Sequence, residues 1–179
     1  MSEYSLQLAE KESRVRDLLS PFITKGESLL PIDTFASDEQ HYRQRAEFRI
    51  WHEGVDLYHI MFNQETKQQY RVDSFPVASL LINQVMADVI NQVKVNPVLR
   101  KKLFQIDYLS ATTNQIVVSM LYHTQLGPEW EVAIQALQKE LSEHYDIHFI
   151  GRAKKQKLVV SQDFVTERLV VHNKVYTFK

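Results

Sequence analysis

Apolar and polar residues alternate along His41-Tyr42-Arg43-Gln44-Arg45-Ala46-Glu47-Phe48-Arg49-Ile50-Trp51, the period of a strand with one face in a core. On that period Tyr42, Ala46, Phe48 and Ile50 share one side, and Arg43, Arg45, Glu47, Arg49 and Trp51 share the other. His52-Glu53-Gly54-Val55 reads as a turn and Asp56 to Phe62 as the returning strand, with a third strand over Lys67 to Val72. Upstream, Leu8, Val15, Leu18 and Leu19 recur at helical spacing up to a Ser20-Pro21 break, and Gly26 to Pro31 reads as loop. Asp73-Ser74-Phe75-Pro76 offers a cap and a helix-opening proline. Val77, Leu81, Val85, Val89 and Val93 then form a helical stripe that ends before Asn96-Pro97. Leu103 to Leu109 and Gln115 to His123 flank the turn-like Ser110-Ala111-Thr112-Thr113-Asn114. Pro128 opens another helix with Trp130, Ala133, Leu137 and Leu141 on one side. Short strands follow at Ile147 to Ile150, Leu158 to Val160, Leu169 to Val171 and Val175 to Phe178. Strands with helices inserted between them predict an α+β fold, a largely antiparallel sheet with flanking helices.

Composition narrows the function classes. A chain of 179 residues with 44% hydrophobic content can bury a sizeable core. Its 21 Lys plus Arg against 22 Asp plus Glu give a formal charge of -1, so affinity for nucleic acid would have to come from local patches. No apolar run approaches a membrane span and the start is not a signal peptide, which makes the cytoplasm the default compartment. With no Cys, disulfides, thiolate metal sites and a thiol nucleophile are excluded within this sequence. The four glycines, Gly26, Gly54, Gly127 and Gly151, are isolated, so no phosphate-cradling loop is present and no cofactor site is expected.

The outward row of the first strand carries the most specific chemistry. Guanidinium forks match phosphate oxygens and an indole face stacks on an unpaired base. A half-solvated strand also needs polar residues outside, and Arg serves that purpose equally. Two further basic clusters, Arg100-Lys101-Lys102 and Arg152, Lys154, Lys155 and Lys157, fit either reading. Phe104 and Tyr108 would point the same way on a strand, and alternation alone places Phe104 in the core. His52, Glu53, Asp56 and His59 crowd one hairpin without paired metal-ligand spacing, so no metal is expected, and no Ser, His and acid set stands out as catalytic.

The segments HYRQRAEFRIW, DLYHIMFNQETKQQYRVDSFP, NPVLRKKLFQIDYL, VVSMLYH and IGRAKKQKLVVSQDFVTERL resemble the N-terminal half of the bacterial tRNA (uracil-5-)-methyltransferase family. The resemblance implies an S-adenosylmethionine-dependent enzyme that methylates C5 of the T-loop uridine at position 54 of tRNA, and the equivalent loop of tmRNA. It implies that this part is an α+β region that holds the T arm and opens the T loop. The family's RNA-contacting arginine falls on Arg49, its aromatic on Phe104 and its histidine on His123. Arg43, Arg45, Trp51, Lys101, Lys102, Arg152, Lys154 and Lys155 are the further expected RNA contacts. Family members continue into a Rossmann-like domain with the cofactor pocket, the cysteine nucleophile and the base. That domain is expected to be missing here, leaving residues 1–35 as a helical and loop extension and residues 40–179 as the α+β core. C5 of uracil becomes nucleophilic only after a thiolate adds at C6, so a chain without Cys is expected to be inactive alone. A free-standing α+β interaction protein is the alternative. Convergence of Arg49, Phe104 and His123 on one exposed face separates the two.

Overall fold

The computed structural model describes residues 2–22 and 32–179, so the loop expected from Gly26 to Pro31 lies outside the described residues. The chain divides into two compact units, Met1–Glu39 and Gln40–Lys179. The first contains α1 (Glu3–Leu19), capped by the Ser2 hydroxyl, which accepts from the Ser5 N–H, and followed by a 3-10 turn at Ser20–Phe22. No α1 residue is buried. The Tyr4 hydroxyl donates to the Ser37 carbonyl at 2.8 Å.

In the second unit the strands β1 (Arg45–Glu53), β2 (Asp56–Phe62), β3 (Gln69–Arg71), β4 (Leu103–Ser110), β5 (Gln115–Tyr122), β6 (Asp146–Ala153) and β7 (Gln156–Val159) form one sheet in the order β3-β2-β1-β4-β5-β6-β7. All neighbours are antiparallel except β5 and β6, which are parallel and joined through α3 (Pro128–Leu141). The other helix, α2 (Leu80–Val95), lies between β3 and β4 in the chain. Buried residues of both helices, Ile82, Val85, Met86, Val89 and Val93 with Trp130, Ile134, Leu137 and Leu141, join Phe48, Ile106, Met120 and Phe149 in one core. Both helices therefore cover the same sheet face. Gly151 in β6 makes room for α3, because a Cβ there would stand 2.4 Å from Cη2 of Trp130. A separate hairpin, β8 (Glu167–Val171) and β9 (Lys174–Phe178), turns at His172 and Asn173, both at positive φ.

Several boundaries differ from the periodicity. The first strand begins at Arg45, and Tyr42 is exposed rather than aligned with Ala46 in the core. The second helix opens at Leu80 with Ser79 as its cap, not at Pro76. The Asn83 side chain accepts the Phe75 N–H and donates to three carbonyls, fixing the preceding residues as a turn. In α3 it is Ile134, not Ala133, that is fully buried.

One buried polar pair ties the antiparallel half of the sheet together. His59 in β2 is 3% exposed, its Nε2 is 2.8 Å from the Tyr108 hydroxyl of β4, and its ring meets Phe48 edge-on. Burial holds the imidazole well below 6.5, at about 3, with Asp73 opposing weakly. Between those values the unfolded chain binds the proton and the folded chain does not, so stability falls as pH drops below about 6.5. At pH 5 the loss from this residue is about 2 kcal/mol. His59→Gln removes the titration, so its loss of stability between pH 7 and pH 5 should be about 2 kcal/mol smaller than the parent's in denaturant melts.

Candidate nucleic-acid interface

The sheet face opposite the helices carries the outward residues of every strand. Register across the sheet aligns Arg71 (β3), Ile60 (β2), Arg49 (β1), Gln105 (β4), Leu121 (β5), Arg152 (β6) and Lys157 (β7) in one row perpendicular to the strands. At about 4.8 Å between strands, four cations are spread over the whole width. They are not equivalent. Arg71 is paired with Asp56 and Asp73, and Lys157 with Asp163. Arg49 and Arg152 have no carboxylate within ion-pair distance among the described residues.

Phe104 reaches this face through a β-bulge. Leu103 pairs with Tyr122 and Gln105 with Leu121, so Phe104 and Gln105 together oppose a single residue of β5. The extra residue reverses the alternation. Leu103, Ile106 and Tyr108 point into the core, while Phe104 is half-buried on the open side. Phe104 and Tyr108 thus lie on opposite faces, contrary to uninterrupted alternation. The sequence does carry a trace of the bulge: core positions 103, 106 and 108 are spaced by three and then two, which a regular strand cannot accommodate. Lys102, at φ 60, precedes the bulge, and its carbonyl accepts the His123 N–H at 2.9 Å, so His123 follows the core-facing Tyr122 onto the open side.

Those placements bring the three residues together. The Phe104 and His123 rings stack with centroids 3.9 Å apart and planes 14° from parallel, and Cζ of Arg49 stands over the Phe104 ring at 5.5 Å. Arg49 and His123 are exposed. The stack forms one rim of an open groove of about 630 Å³, whose far side is Arg152, Ala153 and Lys154. Leu121, Thr124 and Gln125 complete it, and Gln125 donates to the Lys154 carbonyl across it at 3.0 Å. Periodicity did not single out these three, because nothing about a lone Thr or Gln after a strand marks it as groove lining.

The remaining expected contacts are placed less centrally. Arg45 lies on the same face, ion-paired with Glu47, and Trp51 lies opposite Tyr58 near the other end of β1. Asp107, between them and β5, accepts from Gln105 at 2.7 Å, and its carboxyl is pushed up mainly by burial. Arg43 precedes β1, in a bridge to Ala78. Lys101 and Lys102 are exposed in the turn into β4, and Lys155 at the turn between β6 and β7. Arg100, by contrast, is structural: its guanidinium donates to the carbonyls of Gly54, Val55 and Lys94.

Residues 3–179 match the family described as tRNA (Uracil-5-)-methyltransferase. The chain is 48% identical over 180 residues to the tRNA/tmRNA (uracil-C(5))-methyltransferase of Histophilus somni (strain 129Pt), covering 100% of this chain and 48% of that protein. It is 51% identical over 178 residues to the protein of the same name from Escherichia coli O7:K1, covering 99% of this chain and 47% of the relative. The Pasteurella multocida protein is 49% identical over 180 residues. The chain spans about half the length of the curated relatives it matches. Its described residues do not fit S-adenosylmethionine as a bound group. Gly54 sits in a hairpin turn, Gly127 precedes α3 with open space beside it, and the space at Gly151 is taken by Trp130. None of them frees backbone amides at a strand-to-helix turn.

A half-buried ring on an open face and a core ring should respond differently to truncation. Phe48→Ala should lower stability by about 3–5 kcal/mol, whereas Phe104→Ala should melt within about 1 kcal/mol of the parent in the same denaturant titration.

Proposed function

The chain belongs to the tRNA (uracil-5-)-methyltransferase family, and from that premise we propose that it is the RNA-holding portion of an S-adenosylmethionine-dependent enzyme that forms 5-methyluridine in the T loop of tRNA and the equivalent loop of tmRNA. The observation that carries this reading is the column of Arg49, Phe104 and His123 at the rim of a groove walled by Arg152 and Lys154. Single-stranded loops are held by stacking of splayed bases on aromatic or guanidinium planes, with phosphates on neighbouring cations. The column presents both kinds of surface: two stacked rings, and the guanidinium of Arg49, which has no carboxylate partner among the described residues.

Each residue has a distinct part. Arg49 contacts phosphate or a turned-out base, Phe104 and His123 offer planar surface to a displaced base, and Arg152 and Lys154 hold the backbone that leads away. Arg45, Trp51, Lys101, Lys102, Lys155 and Arg43 extend the contact at longer range. When bound elsewhere in the enzyme, S-adenosylmethionine supplies the methyl group; this chain's residues bind, orient and open the loop. Convergence of the three central residues on one exposed face favours this reading over a free-standing interaction protein, which would have no need of it.

The two kinds of contact should fail differently with a T-arm stem–loop RNA. Arg49→Ala should weaken binding and reduce the dependence of log affinity on log salt by about one unit, as one phosphate contact is lost. Phe104→Ala should lower affinity by about 1–3 kcal/mol with the salt slope nearly unchanged. Arg49→Ala binding like the parent would overturn the assignment. The purified chain, incubated with tRNA and labelled S-adenosylmethionine, should incorporate no methyl group above background, since it has no Cys to add at C6 of uracil.

A further inference from the structure

Side-chain amides, not the sheet, hold the two walls of the groove at their spacing. The β5–β6 ladder stops at Leu121 and Arg152, and among the described residues no backbone hydrogen bond joins residues 124–127 to residues 153–156. Gln156 takes over that span. Its Oε1 accepts the Leu126 N–H at 2.9 Å and its Nε2 donates to the Leu126 carbonyl at 2.8 Å, so one side chain serves both backbone groups of one residue, as a neighbouring strand would. Leu126 is buried, and its side chain fills the room left at Gly151, where a Cβ would stand 2.5 Å from Leu126 Cδ1. Apart from Gln156, the one side-chain tie between the two segments among the described residues is the exposed bond from Gln125 to the Lys154 carbonyl.

We infer that Gln156 is a positioning residue for RNA binding, which sets the width of the groove by pinning the loop that leaves β5 to the β6–β7 hairpin. The inference rests on the RNA reading above. Gln156 does not itself meet RNA in the groove. Register pairs Lys157 with Arg152 on the open face and Gln156 with Ala153, so alternation turns Gln156 to the helix side, and it is not among the lining residues. What it controls stands on both walls: His123, stacked on Phe104, with Thr124 and Gln125 on the pinned loop, and Arg152 and Lys154 on the hairpin. Within one RNA strand a base and its neighbouring phosphates lie at a set separation, so the stack and the cations engage together only at a matching groove width. Without the amide the Leu126 N–H and carbonyl lose both partners, and the loop is free to drift from the hairpin.

A T-arm stem–loop RNA is titrated over a range of salt against the parent, Gln156→Met, Arg152→Ala, Arg49→Ala and the two double variants that combine Gln156→Met with each arginine change. Melting is measured on every protein. Gln156→Met keeps the length and neutrality of the side chain and removes both hydrogen bonds. At a temperature where it is folded it should bind about threefold or more weakly. Its slope of log affinity against log salt should fall by about 0.7–0.9, as though a phosphate contact were gone, although no cation has been removed. Arg152→Ala should cost the parent about fivefold at 0.1 M salt, but the Gln156→Met protein less than about twofold, whereas Arg49→Ala costs both alike. Gln156→Asn, neutral and too short to reach both atoms, should repeat the pattern and decides the matter if Gln156→Met does not fold. A folded variant that melts earlier yet keeps the parent's affinity and salt slope, or whose loss simply adds to that of Arg152→Ala, makes Gln156 a stability residue alone. That result overturns the inference and leaves the Arg49 and Phe104 reading in place. A parent that binds no stem–loop RNA overturns both.

Discussion

Burial of only one sheet face is the constraint from which the functional surface follows. Both long helices of the second unit feed one core with Phe48, Ile106, Met120 and Phe149, so the pleat sends every alternate side chain of seven strands to the other side. That face is not uniformly free. Residues following β7 tie back to the turn between β4 and β5, where the Thr166 N–H is donated to Gln115 and the Glu167 carboxylate accepts from Thr112. Toward that end of the sheet Val117 and Ile150 are buried although they face away from the helices. The accessible stretch is the opposite end, where β5 and β6 run out into His123 to Gln125 and Arg152 to Lys154.

Charge is sorted on the same surface. In a chain of net charge -1 the cations of this face differ in whether a carboxylate answers them. Asp56 and Asp73 answer Arg71, Glu47 answers Arg45, and Asp163 answers Lys157. Arg49 and Arg152 are left without a carboxylate partner among the described residues, and they flank the stacked rings. Local pairing, not composition, sets the field at this surface.

Much of this was legible in the sequence. The alternation from Ala46 to Ile50, the hairpin at Gly54, the α2 stripe at Val85, Val89 and Val93, and the opening of α3 at Pro128 all follow from period and turn chemistry. Boundaries slipped where a tertiary contact decides them, as when Asn83 holds Phe75 to Ser79 in a turn and delays α2. Phe104 was the instructive case. Its side of the strand depends on a bulge, and residue type alone assigns it to the core; its likeness to a family motif pointed outward, and the spacing of 103, 106 and 108 explains why.

The parallel pairing of β5 with β6 has a consequence for the order of assembly. The two sides of the groove, His123 to Gln125 and Arg152 to Lys154, leave the ends of adjacent strands, but the chain between them must run through all of α3 and return. Antiparallel neighbours such as β1 and β2 can be joined by a tight turn, whereas this parallel pair needs a crossover, and here α3 supplies it with Trp130 packed over Gly151. A chain that has formed its hairpins but not this crossover has the Phe104 rim and no opposite wall. The groove therefore exists only where that crossover is complete, and its two walls are as far apart in the chain as they are close in space.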